Sequence, residues 1–341
     1  MPWPEASPKD LGINAEKFEK FVDYAFSKQE GFSTNVLFVL YKGKVIHYST
    51  ANGFKWGQVH RQWSASKSVM SLLVGIAKEK GLIDLEDPVS KYYSLHSSVT
   101  QGPKLKHLLE MTSGFDWKEG YAANPLASDV IAMLYTEGFT DMASFCAKRP
   151  LAHKPGDKFV YASGNSNLLM GVLKKVIPES EFSDFPWKNL FDPLGIKSAT
   201  WEKDQSGNFV GSSYLYIAPE DMAKIGYMVL KGGNYFGKQI VSKNWIDYSS
   251  TLAGSYLKMI PNREPVSTYG AHWWLNKTIP GYPGTKRYHA LPEDVMMAQG
   301  YQGQFMLVAP SLDLVVVRNS ADRITKIDKD KFYRLLLDAL P

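Results

Sequence analysis

The chain has 341 residues, 44% of them hydrophobic and 13% aromatic, enough apolar side chain to bury a sizeable core as one large domain or two intimately packed subdomains. That balance excludes a disordered or repeat protein. The 39 basic and 34 acidic residues leave a net charge of +5, and no Lys/Arg cluster is interleaved with aromatics, which speaks against nucleic-acid binding.

Met1 to Pro8 lacks the charged-then-apolar pattern of a signal peptide, and no stretch is long and apolar enough to span a bilayer. No stable membrane insertion is therefore expected. The compartment is read as cytoplasmic, or as periplasmic or exported if a signal peptide has been removed. Asn14–Gln29 reads as a helix with Phe18, Phe21, Val22 and Phe26 on one side. Asn35–Tyr41 and Lys44–Ser49 read as a hairpin turning at Lys42-Gly43.

Ser64-Ala65-Ser66-Lys67 comes next, at the mouth of a long apolar segment. Val69, Met70, Leu72, Leu73, Val74, Ile76 and Ala77 are apolar almost all round, as in a buried helix, with Gly81 as terminator. On a helix, residues i and i+3 share a face, so the Lys67 amine reaches the Ser64 hydroxyl. That pairs a nucleophile with a base at a helix amino terminus, where developing negative charge is favoured. Four residues alone are a weak signal, since an N-cap serine with a solvated lysine has the same spelling.

Further along, Leu105–Gly114 reads as a helix and turn, and His107 packs there beside Leu105, Leu108 and Leu109. Cys146 is the single cysteine, which excludes an intrachain disulfide and any Cys-based metal cluster. It is expected to pack as a small hydrophobe beside Phe145. Pro155–Asn165 gives a turn, a short β-like run and the triplet Tyr161-Ala162-Ser163 before an apolar helix from Leu168 to Val176. Strands return at Gly270–Asn276, Val295–Gln299, Phe305–Ala309 and Leu312–Arg318, the last two around Pro310-Ser311, and a helix closes the chain at Lys329–Leu340. Sheet residues at both ends with helices between them imply a non-contiguous α/β domain carrying an all-α insertion, with the active site where the two meet. Of the seven histidines, none forms H-E-x-x-H, no G-x-S-x-G elbow exists, and His60 and His272 take no role. No metal and no cofactor are expected.

With Ser64-Ala65-Ser66-Lys67, Tyr161-Ala162-Ser163 and Ala298-Gln299-Gly300 in that order, the chain resembles the serine β-lactamase and penicillin-binding-protein superfamily. Within it the match is to the class C β-lactamase, esterase and 6-aminohexanoate-dimer hydrolase branch. Gly81–Val89, Asp192–Ile196 and Ala218–Ala223 also look like that branch. The resemblance implies an α/β (α+β) fold of β-lactamase/transpeptidase type, an antiparallel sheet flanked by helices plus an inserted all-α subdomain. Residues 1–341 then form a single such domain, with 1–63 and 235–341 as the sheet subdomain and 64–234 as the mainly helical one.

The resemblance also implies roles. Ser64 attacks a carbonyl and becomes acylated, Lys67 holds or removes its proton, and Tyr161, its pKa lowered by the ammonium, shuttles the proton to the leaving group. The N–H groups of Ser64 and Tyr301 make the oxyanion hole. Ser163 stands where many relatives carry Asn and contacts the lysine or the substrate. At the third motif Ala298-Gln299-Gly300 stands where relatives carry Lys-Thr-Gly or a His in the first place, and Gln299 offers only a neutral donor and acceptor, so no cation stands ready there for a carboxylate, which would need Lys286, Arg287 or Arg318. Trp117 and Tyr301, less so Trp273 or Trp274, and Tyr121 are candidates to line an acyl pocket.

The reading is thus a serine hydrolase acting on a small ester or amide, with a small-molecule or peptide substrate as its partner and a monomeric or weakly homo-oligomeric state. β-Lactamase or D-alanyl-D-alanine carboxypeptidase activity, acyl transfer, and a non-catalytic peptidoglycan-binding sensor are the alternatives.

Overall fold

Period-two alternation organises the centre of the molecule. A computed structural model describes residues 3–51, 53–120, 127–258, 265–323 and 325–341. In it Thr34–Tyr41 (β1) is buried along its whole length. Phe38 and Leu40 face one apolar layer, and Leu37, Val39 and Tyr41 face the other, as successive strand residues must. β1 turns at Lys42 and Gly43, both left-handed (φ 49° and 70°), into Lys44–Thr50 (β2), the backbone twist that a tight two-residue hairpin turn requires.

The remaining strands of this sheet are Thr268–Tyr269 (β3), Trp274–Leu275 (β4), Met296–Gln299 (β5), Phe305–Ala309 (β6) and Leu314–Ser320 (β7). Their order is β2-β1-β7-β6-β5-β4-β3, antiparallel throughout. The fold is therefore mixed α/β around an antiparallel sheet.

Helices Ala15–Ala25 (α1) and Lys329–Ala339 (α5) cover one face. α1 is shorter than its sequence suggests. Asn14 caps it by accepting from Lys17 N at 3.0 Å, and a separate 3-10 turn follows at Lys28–Glu30. The other face carries Ser66–Glu79 (α2) and Pro219–Leu230 (α4). Gly226 lets α4 approach the sheet, since a Cβ there would lie 2.6 Å from Val315. Of the expected strand Gly270–Asn276 only Trp274–Leu275 (β4) is strand; the residues before it form a bend from β3, with Gly270 N donating to Trp273 O at 2.9 Å and His272 left-handed (φ 64°). A Cβ on Gly270 would meet Ser249 O at 2.2 Å, so the chain turns where only glycine fits.

Between β2 and β3 lie the helices of the 64–249 stretch, among them Ser163–Val176 (α3), which packs on α2. Cys146 is buried in the helix Met142–Ala147. A Cβ on Gly164 would come within 2.7 Å of both Cys146 Sγ and the Trp117 ring. The missing side chain therefore lets that indole lie against the first turn of α3. Among the described residues no helix is long and apolar enough to cross a membrane.

Candidate active site

The residue before Ser64 is conformationally strained. His60–Arg61 pairs with Leu215–Ile217, Gln62 N donates to Leu215 O at 2.8 Å, and the chain then reverses through Trp63, left-handed at φ 48°. A bulky residue there costs roughly 1–3 kcal/mol and persists only when its surroundings hold it. They do: the Arg61 guanidinium lies 4.6 Å from the Trp63 ring, and Tyr301 meets the indole edge-on at 5.5 Å. Ser64 thus emerges in a 3-10 turn, Trp63–Ala65, at the mouth of α2. The other serines of α2 are tethers. Ser68 and Ser71 donate to the carbonyls of His272 and Ala271 at 2.7 and 2.8 Å.

Lys67 is 1% exposed, and its amine has a partner for each proton: Ser64 Oγ at 3.0 Å, Ser163 Oγ at 2.9 Å and the Ser212 carbonyl at 3.0 Å. Burial brings its pKa down to about 8, against the opposing pull of Glu119. The Ser212 carbonyl is aimed by Asn167, whose Oδ1 accepts from Ser212 N at 2.9 Å.

The Tyr161 phenol lies beside the Ser64 hydroxyl, which pulls its pKa down slightly. Its ring stacks on Trp274 at 5.3 Å, with the Lys67 amine 5.0 Å from its centroid. Its pKa moves opposite to expectation. Burial first, then the Glu119 carboxylate, raises it, and these outweigh the Ser64 hydroxyl. The phenol stays protonated near neutrality.

Ser163 opens α3 and leads to a residue that sequence reasoning missed. Glu119 accepts from Ser163 N at 2.9 Å and from Trp117 Nε1 at 2.6 Å, and its second oxygen takes the Ser163 hydroxyl. Gly300 explains how β5 reaches this cluster: a Cβ there would lie 2.1 Å from Gln62 O, so only glycine lets the strand end against the turn that carries Ser64.

A model of the Beta-lactamase family matches residues 15–339. The chain belongs to the β-lactamase family. It is 26% identical over 302 residues to the 6-aminohexanoate-dimer hydrolase of Paenarthrobacter ureafaciens, covering 84% of this chain and 72% of that protein. Among solved structures, EstCE1, a hydrolase with promiscuous acyltransferase activity, matches with a TM-score of 0.71 at 14% identity over 96% of this chain and 98% of that one. A family VIII carboxylesterase matches with a TM-score of 0.66 at 14% identity, again over 96% and 98%. At that identity the structural likeness is one of fold.

Other members of the expected β-lactamase-type site sit elsewhere. Gln299 is turned to the α1/α5 face beside Met297, its Nε2 3.5 Å from that sulfur, and Lys329 of α5 donates to its Oε1. A cation does stand behind the third motif, contrary to expectation, although burial and the neighbouring Arg318 and Lys326 bring its pKa down to about 7. The strand position on the nucleophile's face is Ala298, fully buried. Arg318 is fully buried in a bidentate pair with Asp322, and Lys286 donates to Leu291 O at 2.9 Å. Trp117, expected at the substrate, is 6% exposed and serves as a donor to Glu119. Tyr301 is 45% exposed at the rim, Trp273 is core, and Tyr121 lies outside the described residues.

The histidines near this β-lactamase-type site are structural. His272 bridges Ser166 Oγ at 2.8 Å and Leu109 O at 2.7 Å, and burial takes its pKa down to about 3. His107 accepts from Lys104 N at 3.2 Å. Among the described residues no group of three or more His, Cys, Asp or Glu is placed to hold a metal ion.

Proposed function

We propose that this chain is a serine hydrolase that cleaves small esters or amides through an acyl-enzyme on Ser64. The observation that carries the reading is the Lys67 amine 3.0 Å from Ser64 Oγ, with its pKa brought down to about 8. Neutral Lys67 takes the Ser64 proton as Oγ bonds to the substrate carbonyl carbon. Tyr161, itself protonated, gives its proton to the departing oxygen or nitrogen as the carbonyl–heteroatom bond breaks, and the Lys67 ammonium reprotonates it. Water then adds to the acyl carbon as its proton passes to the neutral Lys67, which returns that proton to Oγ as the acyl–oxygen bond breaks and Ser64 leaves. The N–H groups of Ser64 and Tyr301 take the oxyanion in both halves.

The substrate class follows from what faces the nucleophile. Ala298 offers no polar group, and Gln299 is bonded to Lys329 on the opposite face of the sheet, so this strand gives a substrate carboxylate no charge-assisted hydrogen bond, the kind roughly twice as strong as a neutral one. Neutral esters and small linear amides suit this strand better than a β-lactam, whose carboxylate lies close to the scissile bond. The likeness to a 6-aminohexanoate-dimer hydrolase and to carboxylesterase folds supports the same class.

The test is a panel of p-nitrophenyl esters of graded chain length, 6-aminohexanoate dimer, D-alanyl peptides and nitrocefin. Short esters are expected to turn over well and nitrocefin poorly. Ser64→Ala, with its fold checked by circular dichroism, should lose ester turnover. Unchanged turnover in that folded variant overturns the reading, and a higher kcat/KM for nitrocefin than for any ester replaces it with a β-lactamase.

A further inference from the structure

Glu119 belongs to none of the motifs that mark this site, yet it is bonded into its centre. Its Oε2 accepts from Trp117 Nε1 at 2.6 Å and from Ser163 N at 2.9 Å. Its Oε1 faces Ser163 Oγ. A carboxylate can only accept, so the single Ser163 proton is directed to Glu119. In the 2.9 Å contact between Ser163 Oγ and Lys67 Nζ the amine must therefore be the donor. The third partner, the Ser212 carbonyl at 3.0 Å, is likewise an acceptor only.

A neutral amine has two N–H groups and one lone pair. Ser163 and Ser212 claim both N–H groups, and the remaining direction points at Ser64 Oγ, 3.0 Å away. We propose that Glu119 is a positioning residue that fixes the direction of the hydrogen bonds around Lys67, so that the lone pair of the neutral amine faces only the Ser64 hydroxyl. The proposal deepens the serine-hydrolase reading and rests on it. Without the carboxylate, the Ser163 hydroxyl is free to rotate and donate to the same lone pair, and Ser64 then competes for its own base.

The titratable groups facing Lys67 are Glu119 from the loop after Phe115, Tyr161 from the segment before α3, and His272 from the β3–β4 bend. Those facing Glu119 are Lys67, Tyr161 and Tyr269. His272 and the two phenols are neutral near pH 7, since burial holds the imidazole low and the phenols high. Glu119 is thus the charge that opposes desolvation of the ammonium. Removing it lowers the Lys67 pKa further.

The experiment compares wild type with Glu119→Gln, Glu119→Asp, Ser163→Ala and the Glu119→Gln/Ser163→Ala double variant on one short ester across pH. In Glu119→Gln the amide donates to Ser163 Oγ and turns its proton toward Lys67. kcat should fall on the order of tenfold to a hundredfold with KM little changed, while the acid limb of kcat/KM moves down by about one pH unit. Adding Ser163→Ala should cost nothing more, because both changes act on one hydrogen bond. Glu119→Asp keeps the charge and should keep the wild-type limb. An acid limb that stays in place in Glu119→Gln, with losses that add in the double variant, overturns the proposal and leaves Glu119 a cap of α3.

Failure of the hydrolase reading is scored separately, by the absence of fluorophosphonate labelling at Ser64 in the wild type. In that event NMR of protein labelled with 13C at the lysine ε position, the Lys67 signal identified by its loss in Lys67→Arg, still reads the wiring. A Lys67 pKa that drops in Glu119→Gln upholds it, and an unchanged pKa overturns it.

Discussion

Lys67 can act as a base only once it has lost a proton, and the depth at which it is buried sets when that happens. With its pKa brought down to about 8, the fraction of neutral amine rises as pH rises through that value, and ester turnover should rise with it. The expected kcat/KM profile has an acid limb centred near pH 8 and no limb near pH 6.5, because the buried His272 titrates only near 3. A limb at the ordinary imidazole range would assign the base to a histidine. Lys67 bonds Ser64 Oγ and Tyr161 stands beside both groups, so in the proposed mechanism they act as one relay. Lys67→Ala and Tyr161→Phe should each slow acylation by a factor on the order of a hundred or more, and the double variant should be hardly worse than either alone. Pre-steady-state acylation rates check this, and losses that multiply mean two independent roles.

At the scale of elements, the site depends on a strand end and a helix mouth meeting without side chains between them. Gly300 is the point of closest approach, and a methyl there would sit 2.1 Å from Gln62 O. Gly300→Ala must push the end of β5 away from Gln62 and the Trp63–Ala65 turn, moving the Tyr301 N–H off the oxyanion position proposed for it. Loss of one such donor typically costs a hundredfold or more. We expect that loss in kcat, with the melting temperature little changed, since the sheet core lies further along β5. A collapse of stability with normal specific activity in the folded fraction would place Gly300 in folding instead. The same strand shows what a sequence withholds. The approach of Lys67 to Ser64 was legible because i, i+3 spacing on a helix is a local fact, and motif order pointed to Tyr161 beside them. The facing of Gln299 was not legible, because one residue of register decides which face it takes. The direction of the Tyr161 shift was missed because its chief cause is the depth of burial of the phenol, and because Glu119, the second cause, is distant in sequence and marks itself by no spacing. The β1–β2 and β6–β7 hairpins lie where their periodicity put them, whereas α1 stops at Ala25 and, of Gly270–Asn276, only Trp274–Leu275 is strand, because a bend held by close packing leaves the same apolar spelling.

Across the whole molecule, one buried ion pair ties the sheet to the rim of the site. Arg318, on β7, is fully buried and gives both terminal nitrogens to Asp322 at 2.9 Å. It also donates to Thr34 Oγ1 of β1 at 2.9 Å and to the carbonyl of Gly303 at 3.1 Å. Asp322 in turn accepts from Ser33 N at 2.9 Å, so the pair clamps the start of β1, the end of β7 and the 301–303 turn that follows the third motif. A Cβ on Gly303 would lie 2.4 Å from Asp322, which leaves the turn no room to shift. Replacing such a pair with apolar groups is often neutral, but removing one partner strands a buried charge and costs about 3–5 kcal/mol. Asp322→Asn is therefore expected to lower the free energy of unfolding by about that much in urea titration. Because the turn bearing Tyr301 loses its anchor, kcat for esters should fall in the fraction that remains folded, while Ser64 labelling by a fluorophosphonate slows in parallel. If Asp322→Asn unfolds at the wild-type urea midpoint, the pair contributes nothing to stability. If it is destabilised yet turns over esters at the wild-type rate, the clamp holds the sheet alone and the 301–303 turn is positioned by Gly300 and the Trp63 ring.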